Sequence, residues 1–157
     1  MTEFKPMPEF ALGPEIPESG FVVNDLGGGA YGVTQGVINT MFLETKNGVV
    51  LLDAPPAPGD ALLPAIESIT SKPLTHLIYS HAHADHIGAA HLVNRDGLQI
   101  IAHDLTGQFM EEAHDDRRPL PNVTFSGPHK ALDIDGTCCP RTTTRWTRCR
   151  GTTSRRS

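Results

Sequence analysis

An α/β fold, with helices covering a sheet, is what the amino-acid sequence predicts. Short β-like runs separated by turn signals occupy residues 21–54, and strand and helix patterns then alternate as far as residue 114. Early hairpins followed by that alternation read as a sheet layered with helices. Composition agrees, since 38% apolar and 20% charged residues in a chain of 157 is globular rather than disordered or fibrous. The length suits one domain or an incomplete larger one.

The N-terminal stretch MTEFKPMPEFALGPEIPESG, residues 1–20, is Pro- and Glu-rich and predicts a flexible arm. It has no basic start followed by an apolar stretch, so it predicts no secretory signal, and a cytoplasmic location is the default. The runs FVV at 21–23, AYGVT at 30–34 and NTMFLET at 39–45 are the first strands. Asn47-Gly48 is a strong hairpin turn signal leading into VVLLDA at 49–54, a buried-strand pattern. Pro55, Pro56 and Pro58 then break the chain.

From Asp60 the pattern turns helical, with apolar residues at Leu62, Ile66 and Ile69. THLIY at 75–79 is a further buried strand, and a helix is expected from near His86 through IGAAHLV. LQIIAH at 98–103 predicts a strand and LTGQFMEEAH at 105–114 a helix, with short strands near 122–125 and 131–134. No internal repeat is visible. No apolar run approaches the roughly 18 residues that a membrane span needs.

Charge is unevenly placed. Residues 1–136 carry all 18 acidic residues and 7 of the 13 basic ones, a net −11, whereas residues 137–157 carry six arginines and no acid. An acidic body argues against nucleic acid as a main partner. Cys138, Cys139 and Cys149 all lie in that last segment, so no disulfide framework supports the body. They lack a C-x-x-C pair and neighbouring histidines, and make a poor zinc site.

Chemistry is concentrated in SHAHADHIG at 80–88. In extended backbone, residues two apart point the same way, so His81 and His83 can grip one metal from one side. Asp85 and His86 sit where the chain turns into a helix and can face a second metal about 3.5–4 Å away. Imidazoles with one carboxylate suit zinc, one or two ions, with iron or manganese as alternatives. The small residues Ala82, Ala84, Gly88, Ala89 and Ala90 let the loop fold tightly. Chance surface histidines are the bland alternative, outweighed by four ligand types at this spacing after a buried strand.

His81-x-His83-x-Asp85-His86 resembles the signature of the metallo-β-lactamase superfamily. NTMFLETKNGVVLLDAPP looks like that family's early strands, and THLIYSHAHADHIGAA and IIAH also match. The resemblance covers residues 21–136. It implies the N-terminal half of an αββα sandwich, with the metal site at one edge between the sheets. It also implies that Asp53 supports the ligand loop, and that Asp85 is both a ligand and a group orienting the nucleophile. The family's later ligands, two further histidines and a bridging aspartate, have no counterpart, because no histidine follows His129 and no aspartate follows Asp135.

Other signals are weaker. GGGAYG at 27–32 has dinucleotide-fingerprint spacing, but no helical pattern follows, and a glycine-rich hairpin turn is expected. His76 is expected at a strand start, His91 on the helix after the motif and His114 in a solvated segment. His103 ends a strand near the expected site edge, where a structural role outweighs a supporting one.

The last segment, residues 137–157, has seven threonines, six arginines and no aliphatic residue. It is expected to lie outside the family's pattern. A basic tail for polyanions is one reading. A frameshift that truncates the domain is preferred on coding grounds. Codons shifted by one base at Thr142, Thr143 and Thr144 encode Asp, His, Asn or Tyr, and those at Cys149, Arg150 and Gly151 can encode Val-Pro-Gly. Resembling proteins run Asp-Tyr-His and then His-x-Pro-Gly here, although the position of Arg148 cannot become His by this shift.

The resemblance therefore implies a zinc-dependent hydrolase that uses metal-activated water on a small-molecule substrate with an ester, thioester, lactam or similar bond. The alternative is an inactive metal-binding fragment of such a hydrolase, because each metal position has at most two ligands. A redox reading with iron would need further acidic ligands and a flavin partner.

Overall fold

The computed structural model describes residues 13–128 and 130–139, together with Pro6, Pro8 and Ala11. The strands are β1 (Val22–Gly27), β2 (Ala30–Gln35), β3 (Ile38–Glu44), β4 (Val49–Leu52), β5 (Leu74–Ile78), β6 (Gln99–His103), β7 (Val123–Phe125), β8 (Leu132–Ile134) and β9 (Thr137–Cys139). β1 to β7 form one sheet in sequence order. β1 to β4 pair antiparallel and β4 to β7 parallel, so the sheet is mixed. β8 and β9 form a separate antiparallel hairpin. The predicted α/β class and every predicted strand are present.

Alternation along the strands decides which side is covered. Phe42, Leu51, Leu77 and Ile100 lie in register across β3 to β6 and are all buried. They pack with Leu62, Ala65 and Ile66 of α1 (Leu62–Glu67), Ile87 of α2 (Ala84–Ile87), Ala90 and Val93 of α3 (Ala90–Val93), and Met110 of α4 (Asp104–Ala113). Each large side chain so buried contributes about 1.5–3 kcal/mol. On the opposite side, Met41, Leu43, Leu52 and Ile78 are only half-buried.

Two turns show why glycine stands where it does. Gly28 and Gly29 link β1 to β2 with φ of 66° and 84°, so GGGAYG is the glycine-rich hairpin expected and no helix follows it. A Cβ at Gly48 would lie 2.5 Å from Cγ2 of Thr75, so Asn47-Gly48 must close the β3–β4 hairpin with no side chain at its second position.

Three expectations need correction. The helix from Asp60 is shorter than its apolar spacing predicts. A 3-10 turn at Gly59–Ala61 precedes α1, which ends at Glu67 and leaves Ile69 39% exposed. The Ser68 hydroxyl donates to the Ala65 carbonyl at 2.7 Å, and such back-bonding competes with helix continuation. His76 lies inside β5 rather than at its start. The helix after the motif starts at Ala84, earlier than expected, and is broken in two at Gly88-Ala89. Ala54 enters that break: its N–H donates to the His86 carbonyl at 3.0 Å, and its carbonyl accepts from the Ala89 N–H at 2.9 Å.

Thr137–Cys139 pair with β8, and the remainder of the expected Thr/Arg-rich tail, with Cys149 and the codon positions discussed above, lies outside the described residues. So do nine of the first twelve residues of the arm expected at 1–20. Among the described residues no helix is long and apolar enough to cross a membrane.

Candidate metal centre

Neighbouring parallel strands deliver the chemistry to one edge. β4 ends at Leu52 and is followed by Asp53; β5 ends at Ile78 and is followed by Tyr79, Ser80 and His81. The carboxyl ends of parallel strands are where open α/β sheets place their sites. The Asp53 N–H donates to the Ile78 carbonyl at 2.8 Å, which aligns the two chain ends.

Asp53 organises the edge. It is 8% exposed and adopts a left-handed conformation, φ 56°, which Asp tolerates better than most residues. One carboxylate oxygen accepts from the Ser80 N–H at 2.7 Å, and the other from the Ser80 hydroxyl at 2.5 Å. That second oxygen also lies 3.3 Å from Nδ1 of His86. The Ser80 hydroxyl oxygen lies 2.9 Å from Nδ1 of His81. A carboxylate only accepts, so His86 carries its proton on Nδ1. The Ser80 hydroxyl spends its proton on Asp53, so its oxygen accepts from Nδ1 of His81. In the neutral form of each ring, Nε2 is then the bare nitrogen that can bind a metal.

The three imidazoles gather. The His81 ring centroid lies 4.1 Å from that of His86 and 4.7 Å from that of His83. Asp85, on the first turn of α2, is 77% exposed on its side chain, with Oδ2 4.0 Å from Nε2 of His86. Among the described residues, however, no three His, Cys, Asp or Glu side chains converge on a point where they could hold a metal ion. The donor set fits zinc in its chemistry, with three imidazoles and a carboxylate, two rings already fixed in the binding tautomer. As arranged, the rings pack against one another.

The other described histidines have partners of their own. Nδ1 of His103 lies 2.7 Å from Oδ1 of Asp104, which accepts from the Leu105 N–H at 2.8 Å at the start of α4. His91 is on α3 as expected, with Nδ1 3.1 Å from the Arg117 carbonyl. His114 is exposed at the C-terminal end of α4. Ser80 was not singled out by the sequence reading. Its only signal is position, between a buried strand and the first histidine.

Comparison with known proteins bears on the family. The family model described as the metallo-beta-lactamase superfamily matches residues 33–154. The chain belongs to the metallo-beta-lactamase superfamily. That match runs past Gly136 into the Thr/Arg-rich segment.

Among superfamily relatives, 2,4-dinitroanisole O-demethylase subunit alpha of Nocardioides sp. (strain JS1661) is 33% identical over 112 residues, covering 69% of this chain and 34% of that protein. Metallo-beta-lactamase IND-1 of Chryseobacterium indologenes is 26% identical over 106 residues, 66% of this chain and 44% of that one. The chain thus spans less than half the length of these curated relatives.

Solved structures share the fold. A metallo-beta-lactamase from Pontibacter korlensis superposes with a TM-score of 0.62 at 23% identity, covering 75% of this chain and 58% of that one. The inverting sec-alkylsulfatase Pisa1 from Pseudomonas sp. does so with a TM-score of 0.62 at 17% identity, covering 74% and 26%.

Proposed function

We propose that the protein is a zinc-dependent hydrolase acting on a small molecule with an ester, thioester, lactam or similar bond. The observation that carries this reading is the set of three gathered imidazoles, two of them held at Nδ1 by Ser80 and Asp53. His81, His83, Asp85 and His86 would hold one or two zinc ions, with iron or manganese as alternatives. A zinc ion supplies Lewis acidity, which makes water a nucleophile near neutral pH. Asp53 and Ser80 keep the imidazoles in the binding tautomer. The exposed Asp85 carboxylate would accept a hydrogen bond from the attacking water and orient it. A cytoplasmic site of action, with no nucleic acid as partner, goes with this reading.

A second reading is that this chain holds metal without turning over substrate, because His81 with His83 and Asp85 with His86 supply each metal position with at most two ligands. The relative that is an O-demethylase subunit widens the bonds worth testing and raises a second chain as a partner.

Zinc titration calorimetry of the full chain, beside an assay panel of lactam, lactone, thioester, sulfate ester and 2,4-dinitroanisole, separates the readings. Zinc binding that His81→Ala with His83→Ala abolishes is expected under both, and turnover only under the first. Absence of zinc binding, or binding indifferent to the double substitution, overturns both.

A further inference from the structure

The segment between α4 and β7 is fastened to the histidine loop in a way that neither spacing nor motif indicates. Tyr79, two residues before His81 and 3% exposed, donates its hydroxyl proton to the Pro119 carbonyl at 2.9 Å. On the other flank, the His91 N–H of α3 donates to the Arg117 carbonyl at 3.1 Å. Between these ties, Nη1 of Arg118 donates to the Ala82 carbonyl at 2.5 Å, on the one residue that separates His81 from His83. Residues 117–119 therefore touch the chain before, within and after the cluster at 81–86.

Arg118 is itself held. Its Nε donates to Oδ2 of Asp115 at 3.0 Å, and its side chain is only 11% exposed. The same carboxylate takes a fork from Arg117, with Nε to Oδ1 at 3.0 Å and Nη2 to Oδ2 at 3.1 Å. Arg117 first, and Arg118 besides, holds the Asp115 carboxyl down to about 2, so the carboxylate is charged throughout the physiological range. A guanidinium offers several donors in a fixed plane, so one end can rest on Asp115 while the other aims at a carbonyl. Rotation of the peptide that carries the Ala82 carbonyl swings the backbone of His83 relative to that of His81.

We propose that Arg118 is a positioning residue for the metal loop: anchored by Asp115, it grips the Ala82 carbonyl and sets the relative aim of His81 and His83. This rests on the reading of those histidines as metal ligands.

The test uses the full chain with Arg118→Ala, Arg118→Lys and Asp115→Asn, and His81→Ala with His83→Ala as the control. Zinc affinity is measured by chelator competition, coordination by the visible spectrum of the cobalt-loaded protein, and folding by thermal unfolding. Supporting partners of metal ligands are typically worth 10–100-fold in affinity. Arg118→Ala is expected to weaken zinc by about that factor and to change the cobalt spectrum. Arg118→Lys, which can reach the carbonyl or Asp115 but not fork between them, should recover part of the loss. A folded Arg118→Ala that matches the unsubstituted chain in affinity and spectrum overturns the proposal. If Arg118→Ala does not fold, Asp115→Asn decides, because it loosens the anchor without opening a cavity, and unchanged affinity there overturns it equally. An unsubstituted chain that binds no zinc overturns the proposed function, and the positioning role with it.

Discussion

Asp53→Asn is a sharp perturbation of this site because it changes polarity and almost nothing else. Asn has the same shape and tolerates the left-handed φ of 56° as well as Asp does. One Asn oxygen can still accept from the Ser80 N–H, 2.7 Å away in the unsubstituted chain. The amide nitrogen then faces the Ser80 hydroxyl and Nδ1 of His86, where two donors met a carboxylate oxygen. The Ser80 hydroxyl must turn to accept, and its proton is released toward Nδ1 of His81. His86 must likewise present a bare Nδ1. Both imidazoles move their proton to Nε2, the nitrogen a metal needs. Loss of such an outer partner costs about 10–100-fold in metal affinity, or about 1.4–2.8 kcal/mol. Loss of hydrogen bonds to a buried charge costs the fold about 1.5–3 kcal/mol besides. Chelator competition gives the first number, denaturant unfolding the second, and histidine nitrogen NMR shifts the tautomers. A folded Asp53→Asn protein with zinc affinity within about twofold of the unsubstituted chain would refute the reasoning.

Gly88→Ala should be costly for its size. The added Cβ would stand 2.3 Å from the Ala84 carbonyl oxygen, and backbone must move to admit it. The expected loss is about 1–3 kcal/mol in denaturant unfolding, with weaker zinc binding because α2 carries Asp85 and His86. Acid sensitivity should trace in part to His76, whose pKa burial pushes down against the opposing pull of Asp135. The fold favours the neutral ring, so its contribution is present above the unfolded pKa of about 6.5 and is lost as pH falls through the lowered folded value. His76→Gln in the zinc-free chain should flatten the decline of stability below pH about 6.5, and an unchanged profile would count against it.

The sequence by itself determined what depends on neighbours along the chain. Short continuous apolar runs such as VVLLDA marked the strands, and Asn47-Gly48 marked a turn that tolerates no side chain at its second residue. Four donors in six positions marked the candidate site, because short spacing on one loop forces proximity whatever the rest of the chain does. Tertiary structure decided everything that joins distant residues. Ile69 has core-like spacing, yet it is exposed, because Ser68 bonds back to Ala65 and the helix stops first. The helix after the motif breaks because Ala54, more than thirty residues earlier, takes the hydrogen bonds at the break. Arg118 sits in what reads as a solvated charged run, yet it reaches Ala82 across 36 positions. Periodicity records which face of an element is buried. It holds no information on which carbonyl a guanidinium meets, since that follows from how α4 and β7 pack around the sheet edge.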